Sequence, residues 1–238
     1  MAKAIVNGKF PKDAKDKLSR MGFEVIPLPE SSSLAYPMST HPDMLIFIGF
    51  DSLVCHKNYY EKNRDIIDSI VNESGLSLAL NEEKIDKNYP HDAIFNAAVV
   101  GNSLICNTKY VSRHILDIAK TQNANIIHTN QGYTKCSTLI VGENDIVTSD
   151  RGIYAAAQAS GINSLLIGAG SVSLEPYEYG FIGGASGMYE NKVYFCGNLD
   201  NHPDKEKICE FIAACDKECV FLPFDELTDM GSILFVAP

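Results

Sequence analysis

The sequence contains no tryptophan, no CxxC pair and no apolar run long enough to cross a bilayer. Its longest apolar runs, such as DMLIFIGF and CSTLIVG, fall far short of the roughly 20 residues that a membrane-spanning helix needs. Positive charge is also scarce, since 20 Lys and Arg stand against 30 Asp and Glu, for a net charge of -10. Nucleic-acid binding requires clustered cationic side chains. We therefore expect a protein whose main partner is neither nucleic acid nor membrane.

The amino-terminal segment MAKAIVNGKFPKDAKDK has neither the apolar core nor the cleavage pattern of a secretion signal. The seven cysteines are odd in number and match no standard zinc-site spacing. Together these features predict a reduced, cytoplasmic protein whose cysteines mostly fill the core. No cofactor is indicated.

Five segments of the chain repeat the same order of predicted elements. Each complete unit has an apolar strand, a turn rich in Gly, Asn, Asp or Glu, and a second apolar strand. An amphipathic helix and a closing apolar run follow. The units begin at Asp43, Asp92, Tyr133, Tyr179 and Asp229. A repeat of 40 to 50 residues is typical of a propeller or a solenoid.

The fifth unit, DMGSILFVAP, lacks a second strand and a helix, and the amino-terminal residues supply both. KAIVNG fits the second strand, FPKDAKDKLSRMG the helix and FEVIPLP the closing run. A unit shared between both chain ends closes a ring and removes exposed sheet edges. The sequence therefore predicts one domain over residues 1–238, a five-bladed α/β propeller of ββαβ repeats about a pseudo-fivefold axis. The blades cover approximately residues 229–238 plus 1–29, 41–80, 90–129, 133–170 and 178–223.

Five ββαβ blades of this kind resemble the pentein, or guanidine-modifying-enzyme, superfamily. Its members include arginine deiminase, amidinotransferases, dimethylarginine dimethylaminohydrolase and a non-catalytic ribosome anti-association factor. The segments GFIGGASG and YTKCSTLIV are also similar to a bacterial family without an assigned function. The resemblance covers nearly the whole chain and rests on the repeat pattern more than on invariant motifs.

The stretch GFIGGASGM, residues 180–188, contains four glycines and is followed by the apparent strand KVYFCG. A phosphate-binding loop needs a strand, a glycine turn and then a helix, so this context is wrong for a nucleotide site. One interpretation is that the glycines allow inner strands to pack closely around the axis. The other is that Gly180, Gly183 and Gly184 form the floor of a ligand site and offer backbone N–H groups.

Polar residues stand just ahead of the predicted inner strand in every unit, and a ring brings these positions together at one end of its axis. They are His41 and Asp43; His91, Asp92 and Asn96; Tyr133 and Lys135; Tyr179 and Gly180; and Asp229 and Ser232. The plainer alternative is a set of solvated loop and cap residues. His41, His91, Asp43 and Asp92 have the chemistry of metal ligands, but nothing in their spacing demands a metal, and we expect none.

The resemblance also implies roles for some of these residues. In the hydrolases of the superfamily, a cysteine near the C-terminus attacks a guanidinium carbon, a histidine acts as acid and base, and carboxylates hold the cationic nitrogens. Asp43 matches one carboxylate, Tyr133 stands at the histidine and Lys135 at a neighbouring lysine. The second carboxylate is Asp92, or its position is taken by Asn96. The cysteine position falls in DMGS, which contains no cysteine.

Cys136 is the one cysteine near the start of an inner strand. Side chains alternate along a strand, so if Tyr133 and Lys135 face the axis, Cys136 faces away and needs a bulge to reach the site.

Two hypotheses for the function follow. The first is a hydrolase-like or amidinotransferase-like enzyme that acts on C–N bonds of a small guanidino, amidino or amine-bearing molecule. Its altered catalytic set is Asp43, Asp92, Lys135 and Ser232, and its substrate-binding residues are His41, His91, Asn96, Tyr133, Gly180, Gly183, Gly184 and Asp229. The second is a binding protein of the same fold without catalysis, as the ribosome factor exemplifies. The missing cysteine and histidine favour the second, whereas polar groups from several blades favour a small-molecule ligand.

Overall fold

The structure is a computed structural model that describes residues 1–238, and it consists of five three-stranded sheets and seven α-helices. In every sheet the inner and middle strands are antiparallel, and the outer strand pairs parallel to the middle one. This arrangement confirms the predicted five-bladed α/β propeller of ββαβ repeats. No helix combines the length and apolar character that crossing a membrane would require.

The elements follow one another in chain order, blade by blade. The first blade contains β1 (Lys3–Asn7), α1 (Lys12–Arg20) and β2 (Glu24–Leu28). The second contains α2 (Pro42–Leu45), β3 (Ile46–Gly49), β4 (Ser52–His56), α3 (Lys57–Lys62), α4 (Arg64–Ser74) and β5 (Ser77–Asn81). The third contains β6 (Ala98–Val100), β7 (Ser103–Cys106), α5 (Arg113–Thr121) and β8 (Asn125–His128). The fourth contains β9 (Thr138–Gly142), β10 (Asp145–Thr148), α6 (Arg151–Ala159) and β11 (Asn163–Leu166). The fifth contains β12 (Ser186–Tyr189), β13 (Lys192–Cys196), α7 (Lys205–Ala214) and β14 (Glu218–Leu222).

The last strand, β15 (Leu234–Val236), completes the first blade. It pairs antiparallel with β1, so that Ala4 lies opposite Phe235. Both ends of the chain therefore share one sheet, as the sequence predicts.

Buried apolar side chains form five clusters, each of which joins two neighbouring blades. Val6 of the first blade packs with Tyr194 of the fifth, for example, and Phe47 of the second packs with Leu104 of the third. Because the core lies between blades, hydrophobic burial stabilises the ring and leaves the ends of the axis for polar groups.

The inner strands begin later than the sequence suggests. The backbone ahead of them forms helical turns: Leu45 N–H donates to His41 O, Ser137 N–H to Tyr133 O, and Ala185 N–H to Phe181 O. Two side chains reinforce these turns, because Thr138 Oγ1 donates to Thr134 O at 2.7 Å and Ser186 Oγ to Ile182 O at 2.8 Å. The polar residues assigned to strand starts therefore lie on tight turns that end at the strands.

Candidate functional site

The segments ahead of the inner strands meet at one end of the axis and bring together polar side chains from four of the five blades. We call this group the axial cluster. It consists of His41, Asp43, Asn96, Lys135, Cys136, Asp229 and Ser232. All except the partly exposed Lys135 are buried.

Asp43 lies at the centre of the axial cluster. Its Oδ2 accepts hydrogen bonds from Ser232 Oγ at 2.6 Å and from Cys136 Sγ at 3.1 Å. Its Oδ1 is buried and has no hydrogen-bond partner. Burial raises the pKa of this carboxyl, although His41 and Lys135 oppose the shift. Asp43 therefore retains unused acceptor capacity.

Lys135 and Ser232 join the fourth blade to the first. Lys135 Nζ donates to Ser232 Oγ at 3.0 Å, and burial lowers the pKa of the lysine. Ser232 is fully buried, and its backbone has a φ of 67°, which holds Oγ between Asp43 and the carbonyl of Gly183. A small cavity of about 60 Å³ adjoins Asp43 and Lys135, and its other lining residues are mostly apolar side chains of the inner strands.

Asp229 and His41 form the second charged pair. Asp229 Oδ2 accepts from Phe181 N–H and Oδ1 from Gly231 N–H, both at 2.9 Å, and His41 Nδ1 lies 3.9 Å from Oδ1. Burial raises the pKa of Asp229 to about 6 and lowers the pKa of His41 to about 4. At neutral pH the pair therefore carries one negative charge, on the carboxylate.

A cavity of about 300 Å³ opens beside this pair. Its lining consists of Met38, His41, Met44, Tyr133, Cys136, Leu174, Tyr177, Glu178, Tyr179, Phe181 and Asp229. Aromatic rings form much of the wall, with the Phe181 ring 6.3 Å from Tyr133 and 6.5 Å from Tyr179. No lysine or arginine lines the cavity, so its fixed charges are those of Asp229 and Glu178.

Cys136 is one of the residues of this lining, contrary to the expectation from strand alternation. The residue lies in the turn before β9, where alternation does not apply. Its Sγ also contacts Asn96 Nδ2 at 3.0 Å, and its N–H donates to Asn96 Oδ1 at 3.1 Å. Burial, together with the charges of Asp43 and Asp229, raises the pKa of the thiol well above its ordinary value.

Asp92 and His91 lie outside both the axial cluster and the cavity lining. Asp92 is buried and accepts a hydrogen bond from Tyr133 O–H at 2.7 Å, so it contacts the cavity through that ring. His91 instead lines a separate depression with Lys84, Tyr110 and Arg113. No group of three or more His, Cys, Asp or Glu side chains is arranged to hold a metal ion.

The glycines of residues 180–188 are packed against the protein itself. A methyl group at Gly183 would overlap the backbone carbonyls of residues 135, 136 and 138, and one at Gly184 would overlap the Asp229 carboxylate. Gly180 N–H donates to Val172 O at 2.7 Å and Gly184 N–H to Cys136 O at 2.8 Å. These contacts favour close packing over the ligand-floor interpretation, because both N–H groups already have acceptors.

A loop forms one side of the cavity, and the sequence singled out only its last two residues, Tyr179 and Gly180. We call residues 172–180 the cavity loop. Both of its ends are tied to the protein, because Asp229 N–H donates to Ser173 O at 2.9 Å and Gly180 N–H to Val172 O. It carries Tyr177, Glu178 and Tyr179 to the cavity. Its segment LEPYEYG, rich in aromatic and acidic residues, was the available signal.

Solved structures similar to this chain identify its class. DDAH from Pseudomonas aeruginosa, complexed with citrulline, is 10% identical and superposes with a TM-score of 0.55 over 93% of this chain and 91% of that chain. SxtG, an amidinotransferase of the saxitoxin biosynthetic pathway of Microseira wollei, is 10% identical, with a TM-score of 0.51 over 93% and 88%. The chain is thus a pentein-fold protein. Within that class it belongs to the family described as Family of unknown function (DUF6873), which matches residues 5–234. No curated protein sequence matches the chain.

Proposed function

We propose that the protein binds a small organic cation, a guanidino, amidino or amine-bearing molecule, in the cavity of about 300 Å³. The observation that carries this proposal is the buried carboxylate of Asp229, which lines a cavity that has an aromatic wall and no cationic side chain in its lining. Carboxylates suit the paired N–H groups of guanidinium and amidinium, and aromatic faces attract cations.

Asp229 has the capacity to accept from a ligand. Each of its oxygens accepts one backbone N–H and keeps a further lone pair. Burial of an ionised carboxylate is unfavourable, and it raises the pKa of Asp229 to about 6 although two backbone N–H groups and the charge of Lys135 oppose the shift. A bound cation would remove much of that cost, and the ligand would gain the same free energy.

The fold is compatible with a small-molecule ligand. The DDAH structure with citrulline and a dimethylarginine dimethylaminohydrolase adduct with S-methyl-L-thiocitrulline share the fold of this chain. At 10% identity that similarity concerns the fold alone, so the proposed ligand chemistry rests on the residues of the cavity.

Thermal shift and calorimetry with matched ligands test the proposal. Methylguanidine, acetamidine and butylamine are compared with the neutral methylurea and acetamide. At 100 times the dissociation constant, a bound cation should add about 2.7 kcal/mol to the unfolding free energy, a shift of about 5–10 °C.

Asp229→Asn should abolish that shift, whereas Asp225→Asn, at an exposed position of the same segment, should keep it. Because the amide cannot accept both backbone N–H groups, Asp229→Asn is assayed at a temperature where circular dichroism shows it folded. Equal shifts with neutral and cationic ligands would contradict the proposal.

A hydrolase or transferase step on a C–N bond is the second candidate, because Cys136 lines the same cavity. The thiolate would add to the amidinium carbon, the C–N bond would break, and the thiol proton would leave with the amine. Water or an acceptor amine would then release the carbon from sulfur. Release of amine or ammonia by the parent protein, and its loss in Cys136→Ser, would support this step. Binding of the cation without any release would indicate a binding protein without catalysis.

A further inference from the structure

We infer that the ligand is a linear aliphatic dication, a diamine or polyamine with an ammonium group at each end, and not an amino acid. This inference rests on the proposed function and adds a second ammonium group at the other end of the ligand. The charges of the cavity support it, because two carboxylates and no cation line a largely apolar space.

The first carboxylate, Asp229, is buried and lies beside His41. The second, Glu178, is exposed on the cavity loop, between Tyr177 and Tyr179. A ligand that reaches both must therefore carry positive charge at the buried end and at the exposed end. A monocation would satisfy Asp229 and leave Glu178 without a partner in the site.

The wall of the cavity suits a chain of methylene groups. Met38, Leu174 and Phe181 offer apolar surface, and the Tyr133 ring lies tilted against the Phe181 ring. Methylenes gain from leaving water, at about 0.8 kcal/mol for each CH₂ that is buried. Polar groups in the middle of the ligand would find few acceptors on this wall.

The cavity lining has no cationic group that could pair with a ligand carboxylate. His41 is neutral near pH 7, because burial lowers its pKa to about 4. Lys135 is bonded to Ser232 and lies outside the lining. The charge of Lys9 reaches His41, but its Nζ packs over the Tyr36 ring, 4.6 Å from the centroid, and it does not line the cavity either. An amino acid would therefore place an unpaired carboxylate near two others.

Pairs of ligands that differ by one carboxylate test this inference. Calorimetry at pH 7.5 compares 1,5-diaminopentane with lysine and 1,4-diaminobutane with ornithine, and pentylamine supplies one ammonium alone. The diamines should bind about tenfold or more tightly than their amino acids, because an unpaired charge is costly to desolvate. They should also bind about threefold to fivefold more tightly than pentylamine, which is the gain expected from a partly exposed ion pair.

Two matched variants locate the second contact. Glu178→Gln should reduce diamine affinity by about threefold to fivefold and leave pentylamine affinity unchanged. Glu175→Gln removes the same charge from an exposed position of the same loop that does not line the cavity, and should change neither affinity. Both positions are exposed, so both variants are expected to fold.

The outcomes separate this inference from the proposed function. If pentylamine or lysine binds as tightly as 1,5-diaminopentane, the ligand is not a dication. The proposed cation site at Asp229 would remain supported. Equal losses of diamine and pentylamine affinity in Glu178→Gln also overturn the dication. Absence of binding by every amine, guanidine and amidine overturns both.

Discussion

His41 and Asp229 are buried side by side, and their pKa shifts have opposite effects on stability. The pKa of Asp229 rises from 3.8 to about 6, so the unfolded chain ionises first and stability falls as pH rises across that interval. The pKa of His41 falls from 6.5 to about 4, so the unfolded chain protonates first and stability falls as pH drops across nearly the same interval. The two contributions therefore oppose each other between about pH 4 and pH 6.

Replacing His41 should expose the carboxylate's contribution. As pH rises from 4 to 6.5, the free energy of unfolding should fall more steeply in His41→Gln than in the parent. The difference between the two proteins should change by up to about 3 kcal/mol over this interval. The raised pKa of Asp92 cancels from the difference, because His41 does not act on it. The pKa of Asp43, whose rise His41 opposes, should rise further in the variant and add to the difference in the same direction. Urea unfolding at half-unit pH steps measures the free energy of both proteins. Parallel curves of stability against pH for variant and parent would contradict the lowered pKa of His41.

At the scale of elements, the helical turns ahead of the inner strands determine the site. The turns before β3 and β9 place Asp43 and Cys136 in one hydrogen-bonded group with Ser232, although these residues belong to three different blades. The turn before β12 fits against the turn before β9 only because residue 183 lacks a side chain. Its packing is set by backbone atoms, which have little freedom to move.

A single methyl group should therefore disturb this contact strongly. Gly183→Ala should lower the free energy of unfolding by about 3 kcal/mol, at the upper end of overpacking effects, because the obstacles are backbone carbonyls. In the control Gly168→Ala, the nearest atom to the new methyl is the side-chain carboxylate of Asp204 at 3.4 Å, and a change below about 0.5 kcal/mol is expected. Urea unfolding provides both values, and similar effects in the two variants would refute the packing role.

The sequence predicted the order of the helices and strands better than the residues at which they begin and end. Repeats of strand, turn, strand and helix identified all five blades, because periodicity and turn residues report local structure. It misassigned the segments before β3, β9 and β12, since a short buried apolar run has the same composition in a strand and in a helical turn. The same error led to the wrong prediction that Cys136 faces away from the site. Glu178 was missed because its role depends on where a loop folds back, which no local pattern records.

At the scale of the whole molecule, the ring is closed by one strand pair and by five clusters of apolar residues between blades. Lys3 lies opposite Val236, so the two chain ends are neighbours on adjacent strands. No blade has a core of its own, and each depends on the two beside it. We expect the ring to unfold as one cooperative unit.

A circular permutant tests this closure. A short Gly/Ser linker joins the two ends, and new ends are opened at Gly161, in the exposed turn between α6 and β11. Because no buried pairing is cut, the permutant should fold with an unfolding free energy within about 2 kcal/mol of the parent. A permutant opened between Val54 and Cys55, inside the buried central strand β4, should not fold. Failure of the Gly161 permutant alone would contradict the described closure.

The pairing of β1 with β15 also has a consequence for biosynthesis. During translation the four other blades are synthesised between β1 and β15. The nascent chain can form the parallel pair of β1 and β2 at once, but the other edge of β1 stays unpaired until β15 is synthesised. An unpaired edge invites pairing with other chains. We therefore expect nascent chains that still lack β15 to be prone to aggregation and to be bound by chaperones.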